Sequence, residues 1–130
     1  MRLADTSFWV ALAASHDTHH DQPLALWTDE RRPVVVTNHL AGEIWTFLRR
    51  RAGHLAAVTA VEVLRSRRVQ LVHVDESVEQ DAWRWLERHD EREYSFVDAT
   101  SFMLMRRLRI REALAFDGDF TAAGFVECRT

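Results

Sequence analysis

Lysine is absent from this chain: all 17 basic side chains are arginine. Several α/β enzyme classes need one lysine, whether in a P-loop or beside the phosphorylated aspartate of receiver and haloacid-type phosphotransfer domains, and its absence removes them. An all-arginine complement also arises from nucleotide-composition bias. Cysteine is nearly absent too. Cys128 is the single residue of its type, so no internal disulfide can form, which suits a reducing compartment. No run approaches the roughly 20 apolar residues needed to span a bilayer, and Met1-Arg2-Leu3-Ala4-Asp5 reads as the start of a strand rather than a leader. A cytoplasmic protein without membrane association is the expectation. Internal repeats, low-complexity tracts and Gly/Ser linkers are missing as well. With 130 residues at 47% hydrophobic content, one compact domain over residues 1–130 is expected, needing neither disulfide nor structural metal.

What is present is an alternation of apolar runs with amphipathic stretches. Residues 1–5 read as a short strand, followed by a helix over 7–14 and another over 17–29. Pro33 introduces Val34-Val35-Val36-Thr37, a β-branched run suited to a strand buried on both faces. Asn38 is the expected N-cap of the next helix, whose apolar positions Leu40, Ile44, Phe47 and Leu48 recur at helical spacing before Gly53 ends it. A helix over 54–67, a strand over 69–74, a helix capped by Asp75 and a helix from Ser95 to Leu108 follow. Strands at 113–116 and, on the sheet edge, 125–128 complete the pattern, with a helical turn after Asp117. This order predicts an α/β fold, a three-layer α/β/α sandwich around a central parallel sheet of four to five strands.

Four carboxylates fall where such a fold delivers side chains to one place. Asp5 and Asp117 end apolar runs, and Glu43 and Asp98 lie in amphipathic stretches. Ligands of open parallel sheets bind at the carboxyl ends of the strands, so acids distant in sequence can converge there on a divalent cation. Each acid also has a plain structural role available. Asp5 can cap the first helix, Ser95-Phe96-Val97-Asp98 has capping-box spacing, and Asp117-Gly118 is an ordinary turn pair. Glu43 is harder to explain that way, because it sits on or beside the core-facing stripe of its helix and needs a partner there. The net charge of −3 gives no global pull toward nucleic acid. The arginines are nevertheless bunched, as Arg49-Arg50-Arg51, Arg65 with Arg67-Arg68, and Arg106-Arg107 with Arg109 and Arg111. Carboxylates for ions and guanidinium groups for flanking phosphates suit a metal-dependent nuclease; taken singly, each cluster equally suits a solvated helix end.

Leu3-Ala4-Asp5-Thr6-Ser7, Thr37-Asn38-His39-Leu40-Ala41-Gly42-Glu43, Ser95 to Phe102 and Ala115-Phe116-Asp117-Gly118-Asp119-Phe120 together resemble the four acidic motifs of PIN-domain ribonucleases, most closely the VapC-type toxins of toxin–antitoxin pairs. The resemblance covers essentially the whole chain, and its specificity lies in the ordered set. It implies that Asp5, Glu43, Asp98 and Asp117 hold Mg²⁺ or Mn²⁺, with Asp119 as an auxiliary acid near the rim. It matches Thr6, Thr37 and Ser101 to hydroxyls that orient carboxylates or contact the scissile region. Ala115 departs from the pattern, standing where relatives often carry Thr or Ser.

Crowded carboxylates raise one another's pKa values, and a divalent ion relieves the repulsion, acidifies water and neutralises charge at phosphorus. The expected activity is therefore metal-dependent hydrolysis of phosphodiester bonds. Four acids do not choose RNA; the arginine clusters and RNA shape would, at single-stranded loops of structured RNA. The resemblance implies tRNA, rRNA or mRNA as the substrate, 5′-phosphate and 3′-hydroxyl ends, inhibition of translation, a cognate antitoxin and a toxin homodimer. Five tryptophans, and the wide apolar face that Trp45 forms with Phe47 and Leu48, suggest a partner groove or ordinary core. Two alternatives stand: a PIN-like nuclease of RNA processing without an antitoxin, and a catalytically silent RNA- or protein-binding module. The His16-Asp17-Thr18-His19-His20-Asp21 segment has ligand-type residues at no familiar zinc spacing and reads as a solvated turn.

Overall fold

The computed structural model describes residues 1–13 and 21–128. Its elements in chain order are β1 (Arg2–Ala4), α1 (Thr6–Ala13), α2 (Asp21–Asp29), β2 (Val34–Thr37), α3 (Asn38–Arg51) and α4 (His54–Leu64). Then come β3 (Val69–Val72), α5 (Glu76–Glu87), α6 (Phe96–Leu108), β4 (Glu112–Leu114), α7 (Asp119–Ala122) and β5 (Val126–Glu127). All five strands are parallel, in the order β3-β2-β1-β4-β5. The four residues of β2 are buried throughout, as a strand covered on both faces requires. Helices α1 to α4 pack among themselves, as do α5 to α7, the grouping expected when right-handed crossovers run outward in two directions from the centre. The expected architecture is therefore present, with five strands among the described residues.

Several boundaries differ from the sequence reading. The cap of α3 is Thr37, whose hydroxyl accepts from the Leu40 amide at 3.0 Å. Asn38 instead turns its Oδ1 to the Val74 amide (2.8 Å), tying α3 to the end of the neighbouring β3 segment. Helix α4 stops at Leu64, β3 at Val72, and β4 occupies Glu112–Leu114, so Ala115 and Phe116 lie beyond the strand. Asp75 and Ser95 cap their helices as expected, and β5 lies at one edge of the sheet, with β3 at the other. The His16 to Asp21 segment falls outside the described residues apart from the backbone of Asp21, and the expected helical stretch at 17–20 and Ala14 lie outside as well.

The site follows from the topology. From β1 the chain moves to β2 and β3 on one side, then returns to place β4 and β5 on the other. The order therefore reverses between β1 and β4, and a crevice opens at their carboxyl ends. Asp5 immediately follows β1, and its amide donates to the Leu114 carbonyl of β4 (3.0 Å), so the first and fourth acidic segments leave the sheet side by side.

Candidate active site

Asp5, Thr6, Glu43, Phe47, Asp98 and Asp117 line one cleft of about 580 Å³. All four expected acids thus line one cleft, whereas the group of carboxylates close enough to share one ion, among the described residues, is Asp98, Asp117 and Asp119, without Asp5 and Glu43. Asp5 is only 3% exposed. Its Oδ2 accepts from the Ser7 amide (3.2 Å) and the Ser7 hydroxyl (2.8 Å), so it also serves the first turn of α1. The Ser7 Oγ accepts in turn from the Phe116 amide (3.0 Å), linking the first acid to the backbone just before the fourth.

Glu43 reaches the cleft because Leu40, Ile44 and Leu48 hold the buried face of α3 against the core, leaving the neighbouring stripe half-buried. Its Oε1 accepts from the Thr6 hydroxyl at 2.5 Å. Asp98 closes a capping box with Ser95: the Ser95 Oγ accepts from the Asp98 amide at 3.0 Å and Asp98 Oδ2 accepts from the Ser95 amide at 2.9 Å. The helix terminus thereby fixes one carboxylate oxygen.

Asp117 and Asp119 share a tight loop. Gly118 adopts φ 84°, a left-handed conformation that favours glycine, and Asp117 Oδ1 accepts from the Asp119 amide (3.1 Å). Arg92, from the loop between α5 and α6, donates through Nε to Asp119 Oδ1 (2.8 Å) and through Nη2 to the Asp117 carbonyl (3.2 Å). Glu127 of β5 accepts from the Gly118 and Thr121 amides (3.2 and 3.0 Å), bracing the loop from the sheet edge.

The hydroxyl positions separate. Thr6 orients a carboxylate, whereas Thr37 is buried and caps α3. Ser101 is fully buried one turn after Asp98, and its Oγ has no hydrogen-bond partner among the described residues. Ser7, Arg92 and Glu127 were missed by the sequence reading. The Asp5-Thr6-Ser7 spacing carried a usable signal, since a side-chain oxygen commonly takes the amide two residues on. Arg92 and Glu127 sit in stretches with no pattern pointing to the site. Of the apolar residues on α3 that suggested a partner groove or ordinary core, Leu48 is core, Trp45 packs edge-on to His54 (5.7 Å), and Phe47 faces the cleft. The apolar groove lies elsewhere, between Trp9 and Leu12 of α1, Trp27 of α2, and Leu55, Ala56 and Val63 of α4.

Burial and mutual repulsion set the electrostatics. Burial first, then the charges of Asp117 and Asp98, push the Asp5 carboxyl up to about 7 against the opposing Ser7 bonds. Asp98 rises to about 6, chiefly through burial with Asp119 and Asp117 adding to it, against the Ser95 amide. Asp117 is raised by burial and by Asp119 and Glu127. Asp98, Asp117 and Asp119 each bring a carboxylate oxygen within 4.8 Å of the others. Hard oxygen donors at that spacing, on carboxyl groups whose ionised forms are destabilised by burial and mutual repulsion, fit a hard divalent cation. Asp119, expected at the rim, belongs to this compact group.

Residues 2–126 match the PIN domain family. The chain belongs to that family, whose nucleases use divalent metal. Among its relatives is the 23S rRNA-specific endonuclease VapC20 of Mycobacterium tuberculosis, strains CDC 1551 / Oshkosh and ATCC 25618 / H37Rv. Each is 54% identical over 129 residues, covering 99% of this chain and 98% of the relative. The crystal structure of Mycobacterium tuberculosis VapC20, described as a sarcin-ricin loop cleaving toxin, superposes with a TM-score of 0.95 at 52% identity, covering 100% of both chains.

Proposed function

We propose that this chain is a metal-dependent endoribonuclease, the toxin of a toxin–antitoxin pair, which hydrolyses a phosphodiester bond in structured RNA and so inhibits translation. The likeness to VapC20 over the full chain extends the proposal to the RNA itself, the sarcin-ricin loop of 23S rRNA. One observation carries it: four acids from distant segments line one cleft at the switch point of a parallel sheet, with Asp5 and Asp98 held well above the ordinary carboxylate range.

In this reading Asp5, Glu43, Asp98 and Asp117 hold Mg²⁺, or Mn²⁺, with Asp119 in support. A divalent cation held there supplies acidified water and neutralises charge developing on the phosphate. The chain's own residues pre-set the rest. Thr6 aims Glu43, Ser7 fixes Asp5 relative to the fourth motif, the Ser95 cap fixes Asp98, and Arg92 restrains the Asp117–Asp119 loop. An antitoxin whose apolar helix fills the groove between α1, α2 and α4 fits the toxin reading, and that groove's Trp9 and Trp27 supply the aromatic surface such interfaces favour. The same reading makes the working unit a cytoplasmic homodimer. Among the described residues no helix is long and apolar enough to cross a membrane.

Sequencing of RNA ends after brief expression tests the proposal. New 5′ ends at one site in the sarcin-ricin loop, absent with Asp5→Asn and Asp98→Asn, are expected. Undiminished cleavage by both variants would remove the site assignment, and a genomic neighbourhood without a small antitoxin gene would favour an RNA-processing role.

A further inference from the structure

A second groove, of about 720 Å³, shares Glu43 and Phe47 with the acidic cleft and runs along α3 past Thr46 to Arg50 and Arg51, with Val97 of α6 on its wall. Its α3 members recur at three- and four-residue steps, so they form one stripe down the helix. The Arg51 guanidinium carbon stands over the Phe47 ring, 4.6 Å from the centroid. Among the described residues neither Arg50 nor Arg51 has a carboxylate within ion-pair distance.

The other arginine clusters are differently disposed. Arg68 covers the Trp27 ring and donates to the Trp27 and Glu30 carbonyls. Arg107 pairs with Asp75 and Asp81. Arg106, Arg109 and Arg111 line a separate cavity that shares no residue with the acidic cleft.

We propose that the α3 groove carries the RNA strand where it leaves the acidic cleft, with Arg50 and Arg51 on its phosphates and the Phe47–Arg51 plate beneath a base. The inference rests on the nuclease reading above. Charge selects the occupant: phosphates next to the acidic cleft need flanking cations, and two guanidinium groups without acid partners supply them at no cost in broken ion pairs. The flat cation over an aromatic ring suits an unstacked base. From Glu43 to Arg50 is seven residues, about 10 Å along a helix axis, or roughly three stacked nucleotides. A helix-dipole role for the same arginines requires neither the groove nor the ring contact.

The test measures binding of a short labelled single-stranded RNA in EDTA across about 50 to 200 mM salt, with Arg50→Gln, Arg51→Gln, their double variant and a control double variant, Arg106→Gln with Arg109→Gln. Circular dichroism checks each fold. The groove variants should each flatten the log–log salt slope by about 0.7, and together weaken binding about tenfold near 0.1 M salt. With Mg²⁺ restored, they should raise KM for cleavage more than they lower kcat. The control should match the wild type. Unchanged affinity and slope in the groove variants, or an equal loss in the control, overturns the proposal. Intact RNA binding with lost capture by a protein partner overturns it too, making the groove a protein site. Arginine-dependent RNA binding without cleavage by the wild type upholds the groove while removing the nuclease reading.

Discussion

The Thr6 hydroxyl donates to Glu43 Oε1 at 2.5 Å, joining the start of α1 to the middle of α3 across 37 positions of sequence. The bond fixes one oxygen of a carboxylate that otherwise has the freedom of a long side chain. Thr6→Val keeps the shape and removes the donor. Support of this kind around a metal ligand is worth about tenfold to a hundredfold in affinity. Calorimetric titration should therefore show Mn²⁺ binding weakened by that factor, with the melting temperature near that of the wild type.

Asp98 works for its helix and for the cleft, and two substitutions separate these roles. Asp98→Asn retains an oxygen for the Ser95 amide but loses the charge, so it should fold normally and cleave no RNA. Asp98→Ala also loses the capping bond and should be less stable than Asp98→Asn by about 1 kcal/mol. Equal stability of the two in chemical denaturation would contradict the capping role.

The elevated carboxyls make the metal-free protein sensitive to pH in a defined direction. A carboxyl held at about 7 in the fold and near 3.8 when unfolded leaves the native state binding more protons between those values. Stability contributed by protonated Asp5 is thus complete below about pH 4 and is lost as pH rises toward 7, by at most about 4 kcal/mol. Asp98, at about 6, acts in the same sense. In EDTA the melting temperature should fall between about pH 5 and 7, and Asp5→Asn should remove much of that slope. Mg²⁺ should restore stability most strongly at the upper end, because cation and proton compete for the same oxygens.

Arg92 holds Asp119 and the Asp117 carbonyl, so it places a positive charge beside the acidic group while bracing its loop. Arg92→Gln should strengthen Mn²⁺ binding a few-fold at low salt, the gain shrinking as salt screens the charge, yet lower kcat through the loosened loop. Weaker Mn²⁺ binding at every salt concentration would show that bracing outweighs repulsion.

Much of this site was legible in the sequence because its acids follow rules of position. Asp5 and Asp117 leave strands, and Asp98 sits at capping-box spacing from Ser95. What sequence spacing could not decide was whether such an acid serves the helix end or the cleft, and the structure shows Asp98 and Asp5 bonded to helix termini while facing the cleft. The choice of Thr37 over Asn38 as cap was hidden because both side chains can cap, and Asn38 is engaged by Val74, 36 residues away. Arg92 and Glu127 reach the fourth motif through tertiary packing alone. The apolar groove escaped notice for the same reason: Trp9, Trp27 and Leu55 belong to three different helices.

The most direct test is anomalous diffraction from a crystal of the protein soaked in Mn²⁺. A peak in contact with carboxylate oxygens of Asp98 and Asp117, absent from the same position in Asp98→Asn crystals, is the expected result. A fully occupied Mn²⁺ peak elsewhere, with none among these acids, would contradict the claim that they are assembled to hold a cation.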